Sequence, residues 1–136
     1  MKSILMLLIF TAVIGCKSVQ GPGEKTRGSS IITQKDDSDE YELIIIDSDF
    51  DRWFTINRQP MTFHSLEYYE QQNQRYVQAW NQKADQQGAF SGVNYPFENH
   101  IYYDIGIDYG LELNYKLFYY FKYIEDRFGD VYNFPY

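Results

Sequence analysis

Apolar positions along this chain follow two different periods. Tyr41-Glu42-Leu43-Ile44-Ile45-Ile46 is a short apolar run, rich in β-branched residues and bounded by acids. Its length predicts a buried strand, not a helix. Exposed alone, such a strand invites aggregation, so it needs partners. Residues 101–107 offer the best one, since Ile101, Tyr103, Ile105 and Ile107 alternate with Tyr102, Asp104 and Gly106. Residues 131–134 could add a third strand before Pro135 ends it.

The second period is helical. Phe50, Trp53, Phe54 and Asn57 follow i, i+3, i+4, i+7 and predict a short helix with an inward aromatic face. Asp47 or Ser48 can cap it, Asp49 and Asp51 suit the positive end of its dipole, and Pro60 closes it. A longer helix is expected from Thr62 or His64 to about Gln87, carried by Phe63, Leu66, Tyr69, Tyr76, Val77, Trp80 and Ala84. Glu70-Gln71-Gln72-Asn73-Gln74 interrupts that stripe, and Gly88 is its natural stop. Residues 88–99 then read as a loop.

The clearest helix follows Asp108, its expected cap. Leu113, Leu117, Tyr120, Phe121, Ile124 and Phe128 form one stripe. Tyr115, Tyr119 and Tyr123 form a second at i, i+4 spacing. Gly129 is expected to end the helix, with Arg127 favourably placed in its last turn. The expected fold is therefore α+β: two long helices and one short helix on a two- or three-stranded sheet.

The front of the chain fits neither period. Lys2 is followed by about eleven largely apolar residues, 4–14, and then by Gly15 and Cys16. That apolar run is too short for the roughly 20 residues a membrane span needs, and has the size of a signal-peptide core. Residues 17–40 carry Gly21-Pro22-Gly23, Gly28-Ser29-Ser30 and Asp36-Asp37-Ser38-Asp39-Glu40, with only Ile31-Ile32 to bury. They read as a flexible tether, which at this length would span roughly 25–30 Å. The expected domains are a signal segment at 1–15, a Cys-headed tether at 16–40 and a globular unit at 41–136.

Charge narrows the partners. The 136 residues carry a net charge of −7, and removing Lys2 with the leader makes it −8. An acidic surface argues against nucleic acid as a partner. Aromatic residues make up 19% of the chain, with fourteen Tyr and ten Phe, which is enough to build a core. So many tyrosines suggest rings turned inward and hydroxyls outward, with Tyr115, Tyr119 and Tyr123 as the expected exposed stripe. The single cysteine excludes an intramolecular disulfide, a Cys-based zinc site and a CxxC redox pair.

Candidate chemistry is sparse. Asp47-Ser48-Asp49-Phe50-Asp51 begins like a calcium loop, but Arg52 and Arg58 stand where glycine and a bidentate acid are needed. Helix capping explains these acids better. His64 and Glu67 lie one helical turn apart, with His100, Asp104 or Asp108 as possible third ligands. No HExxH motif accompanies them. Asp104 and Asp108 flank a Gly-containing turn and are the one pair suited to carboxylate-dependent hydrolysis. No serine-hydrolase elbow, phosphate loop or dinucleotide fingerprint is present. No catalytic residue, metal or cofactor is therefore assigned.

Lys2, the apolar stretch and Val13-Ile14-Gly15-Cys16 together resemble the signal peptide of a bacterial lipoprotein. The resemblance implies diacylglyceryl transfer to Cys16, cleavage between Gly15 and Cys16, and a bilayer anchor through the acyl chains. The segments 41–54, 95–99 and 108–123 resemble small lipoproteins of unknown function from Bacteroidota. That likeness implies a cell-envelope lipoprotein and no reaction type. Lys17 is not the Asp that retains lipoproteins in the inner membrane of enterobacteria, and residues 17–20 lack acids typical of surface-export tethers. The outer membrane, facing the periplasm, is the expected location. The expected role is a non-enzymatic interaction or scaffold module for an envelope protein. The alternative is a glycan- or peptidoglycan-binding module using surface tyrosines. A carboxylate-dependent hydrolase is the remote third.

Overall fold

The structure is a computed structural model that describes residues 30–34, 41–90 and 95–136. The signal segment, Gly15, Cys16 and most of the tether lie outside the described residues. The elements in chain order are β1 (Ser30–Gln34), β2 (Tyr41–Ile45), α1 (Ser48–Asn57), α2 (Leu66–Ala84) and α3 (Gly110–Tyr132), with 3-10 turns at Met61–Phe63 and Gln87–Phe90.

The fold is mainly helical, and the expected sheet is reduced to two short strands, of which β2 packs on α3 through the buried Leu43. Its strand content is one antiparallel ribbon, in which Ile32 pairs with Leu43 and Gln34 with Tyr41. Residues 30–34, expected as tether, supply the partner that 101–107 was expected to give. Two further corrections follow. Residues 101–107 are irregular, and residues 131–132 are the last turn of α3, not a third strand.

The first of these has a side-chain cause. Asn81 on α2 takes both backbone groups of Ile101, donating to its O at 3.0 Å and accepting from its N at 2.8 Å. Trp80 donates from Nε1 to Asn99 O at 2.7 Å, and the Tyr109 hydroxyl accepts from Asp104 N at 2.9 Å. Backbone groups satisfied in this way need no ladder. Only Ile101 of the alternating set is buried, while Ile105 is 79% exposed.

α1 and α2 start where a side-chain oxygen is free to accept. Asp47 Oδ1 accepts from Asp49 N at 2.9 Å and from Phe50 N at 3.2 Å, capping α1. Ser65 Oγ accepts from Tyr68 N at the start of α2. The N-cap of α3 is Tyr109, whose side chain makes no cap bond, and not the expected Asp108; one residue earlier, Asp108 Oδ1 accepts from Gly110 N at 3.0 Å. α2 stops at Ala84, short of Gln87. α3 runs past Gly129 and ends at Asn133, whose φ of 53° is left-handed. Gly129 does not stop the helix; it lets the returning chain approach. A Cβ there would sit 3.1 Å from the Phe134 carbonyl, and Phe134 N donates to Gly129 O.

The core is aromatic, and α3 is its axis. Tyr69, Tyr76, Val77 and Trp80 of α2 are buried, as are Tyr115, Leu117, Phe118, Tyr120, Phe121 and Ile124 of α3. Tyr76 stacks on Phe121 with centroids 5.1 Å apart, and Phe50 of α1 meets Tyr120 edge-on at 5.4 Å. Phe97 and Phe134 close the far end against Trp80. Such pairs contribute about 0.5–1.5 kcal/mol each beyond area burial. Among the described residues no helix is long and apolar enough to cross a membrane.

Candidate functional site

Tyr115, Tyr119 and Tyr123 do share one face of α3, but that face points inward. They are 6%, 6% and 2% exposed, so the exposed stripe expected from their spacing is corrected. Every hydroxyl is committed to the α1 segment. Tyr115 donates to Gln59 O at 2.6 Å, and Tyr119 accepts from Gln59 N at 2.9 Å. Tyr123 donates to Asp47 Oδ2 at 3.0 Å and accepts from Arg127 Nη1 at 2.9 Å. Burial, with the Asp47 carboxylate beside it, pushes the Tyr123 hydroxyl up to about 12, while Arg127 pulls the other way.

This seam is structural. Rings buried on that face cannot stack on a sugar, and hydroxyls already bonded cannot recognise one. We expect Tyr115→Phe and Tyr119→Phe each to cost about 1 kcal/mol in urea unfolding, the net value of one hydrogen bond. Unchanged midpoints in both variants would show that the seam does not hold α1.

Asp47 and Asp49 are absorbed by the same seam. Asp47 caps α1, and Asp49 pairs with Arg127 at 3.1 Å. Arg127 is five residues from the end of α3, not in its last turn, and its guanidinium lies over the Tyr123 ring at 5.4 Å. The Asp49 hydrogen bond raises the Arg127 pKa further.

The histidines do not converge. His64 precedes α2 and stacks on Tyr68 at 3.9 Å. His100 bonds through Nε2 to Asp85, the C-cap of α2, at 2.9 Å. A 19-residue helix therefore lies between their sites, roughly 28 Å at 1.5 Å per residue. No ion bridges that span. Among the described residues no group of three or more His, Cys, Asp or Glu could hold a metal. Asp104 and Asp108 do border one hollow with Glu70 and Gln74. Both are exposed, and Asp108 Oδ1 is occupied by the Gly110 N–H.

Two features escaped the sequence reading. Asn73 and Asn114 are fully buried and paired. Asn73 Nδ2 donates to Asn114 Oδ1 at 3.0 Å and to Asn114 O at 2.9 Å. Tyr103 donates to the same Asn114 Oδ1 at 2.7 Å, and Asn114 Nδ2 donates to Gly110 O. Asn73 Oδ1 is left without a partner. The signal was Asn73 falling four residues after Tyr69, on the apolar stripe it was taken to interrupt.

The second feature is a groove of about 330 Å³ along the outer face of α2, with Gln72, Arg75, Gln78 and Gln82 on one side and Pro135 and Tyr136 on the other. Among the described residues these four polar side chains make no hydrogen bond or ion pair. The Tyr136 ring is 83% exposed. The floor includes Tyr76, whose hydroxyl is tied off by donating to Glu125 Oε2 at 2.7 Å. Burial and then that carboxylate raise the Tyr76 pKa well above its ordinary 10.0. Glu125 in turn pairs with Lys122 at 2.6 Å, so no lone carboxylate faces the groove from below. The signal here was the set Gln72, Arg75, Gln78, Gln82, recurring at helical spacing away from the apolar stripe.

These features define a small, mainly helical module with an aromatic core, an internal hydroxyl seam and a polar groove on α2. The chain belongs to a family of unknown function, DUF6146, whose model matches residues 4–133. No curated protein and no solved structure matches it.

Proposed function

We propose that this protein is a lipid-anchored, non-enzymatic binding module of the cell envelope, tethered through Cys16. The observation that carries the anchor is the register of Lys2, the apolar run, Gly15 and Cys16. The family match begins at residue 4 and so takes in the apolar leader and the cysteine. The non-enzymatic reading is supported by the described body. Asn73 is bonded to Asn114 and Tyr123 to Asp47, which holds helices together, and its histidines are held at opposite ends of α2. The outer membrane, with the module facing the periplasm, is the location this reading favours. Two or three acyl chains hold a protein stably at a bilayer where one chain would not, at about 0.8 kcal/mol per buried CH₂.

The test is metabolic labelling with an alkyne-tagged fatty acid in cells expressing the full chain. The natural chain should take up label, shorten by the leader and fractionate with membranes. Cys16→Ser should remain an unlabelled precursor. Normal shortening and membrane retention in that variant would sink the anchor.

A further inference from the structure

The groove on α2 has the chemistry of a carbohydrate site. We infer that it binds a short β-linked oligosaccharide bearing acetamido groups, an assignment that rests on the binding-module reading and names its ligand. Four observations carry it.

Tyr136 presents an almost fully exposed ring at the groove wall. A pyranose offers a face of weakly positive C–H bonds, which suits the negative face of an aromatic ring. The backbone of Tyr136 is tied to the end of α3, since Asn133 Nδ2 donates to its carbonyl at 2.8 Å.

Across from it, Gln72, Gln78 and Gln82 each bring one carbonyl acceptor and one NH₂ donor, and Arg75 brings five donors. Among the described residues none is spent on the protein. A sugar hydroxyl both donates and accepts, and an acetamido group carries one N–H and one C=O. Paired donors and acceptors on the protein match such groups better than a row of like charges would.

Charge points the same way. In a chain of net −7, the groove lining carries no carboxylate side chain and one cation, Arg75. The one charged side chain lining the groove is cationic, so the side chains there do not favour a strongly basic ligand. A neutral, hydrogen-bonding ligand loses little there. Size agrees as well, because 330 Å³ is at the small end of ligand pockets and fits one or two sugar rings.

The other exposed apolar groups lie elsewhere. Ile105 and Ile107 project from the turn beside Asp104 and Asp108, where the hollow is lined by the carboxylates of Glu70, Asp104 and Asp108 and so differs in charge from the groove on α2.

The experiment is a calorimetric titration of the full chain, extracted in mild detergent, with a tetramer of β-1,4-linked N-acetylglucosamine. Cellotetraose, which lacks the acetamido groups, is the comparator. We expect saturable binding with Kd on the order of 0.1–1 mM, and about tenfold weaker binding of cellotetraose. Tyr136→Ala should weaken the acetamido sugar about tenfold, and Gln78→Ala about threefold, with thermal unfolding unchanged because both side chains are exposed. Absence of binding up to about 10 mM, or binding indifferent to Tyr136→Ala, overturns the assignment. Equal affinity for cellotetraose overturns its acetamido part. Lipid labelling at Cys16 without sugar binding removes the groove assignment and leaves the anchor. Sugar binding by a chain that takes up no label does the reverse.

Discussion

Above pH ~10 the protein should lose stability steeply and unfold cooperatively, well before an unfolded chain has finished ionising its tyrosines. Tyr76 and Tyr120 are buried, and burial is the first cause holding both hydroxyls neutral far above the ordinary 10.0. Tyr69, Tyr95, Tyr103, Tyr109, Tyr115 and Tyr123 are raised for the same leading reason. The sign follows from proton counting. Below pH ~10 both folded and unfolded chains keep these protons, and the stabilisation is fully present. As pH rises through the unfolded value, the unfolded chain releases protons that the folded one retains, so unfolding gains. Each such tyrosine removes up to about 1.4 kcal/mol per pH unit, and Tyr76 with Tyr120 alone remove about 3. Tyrosinate absorbance and far-ultraviolet circular dichroism, recorded together against pH, should change in one coincident transition. Independent titration of the tyrosines, with helix content retained above pH ~12, would show that the core does not hold them neutral.

Asn114→Ala should be among the most destabilising polar substitutions, at about 2–4 kcal/mol, because buried donors lose their acceptor without gaining water. The Asn114 side chain serves three partners: Tyr103, Asn73 and Gly110. Its removal strands the Tyr103 hydroxyl and leaves Asn73 with only the Asn114 carbonyl. Tyr103→Phe removes a single bond and should cost about 1 kcal/mol. At roughly 4–8 °C per kcal/mol for a domain of this size, the first variant should melt more than about 10 °C lower. A loss for Asn114→Ala no larger than that for Tyr103→Phe would mean the network contributes only its outermost bond.

The helices were legible because their signal is local. Phe50 to Asn57, Leu66 to Ala84 and the stripe on α3 declare a 3.6 period within a few turns, and Asp47 stands where orphan N–H groups need an acceptor. The strand at 41–45 was legible for the same reason. Its partner was not, because pairing with a largely polar stretch depends on contacts the stretch itself does not announce. Ile101 to Ile107 misled because alternation records side-chain facing, whereas a strand also needs a neighbour for its backbone. Asn81 and Tyr109 answered that need with side chains. The tyrosine stripe misled for a related reason. Its spacing was read correctly as one helix face, but a phenol can be buried if its hydroxyl finds a backbone group, and Gln59 lies too far along the chain to be seen from residue 115. Of the candidate site, the glutamine face was visible as a pattern, while Tyr136 joined it only through the tail's return across Gly129.

The grip on Gln59 leaves a mark on how the sequence can drift. Tyr115 and Tyr119 hold the N–H and C=O of residue 59, and its side chain is exposed. Almost any residue could stand there without loosening the seam, with proline excluded because it would delete the N–H that Tyr119 accepts. Position 59 should therefore wander freely among relatives while 115 and 119 stay tyrosine. The constraint would be recorded at one end of the bond alone, and no covariation would betray the contact.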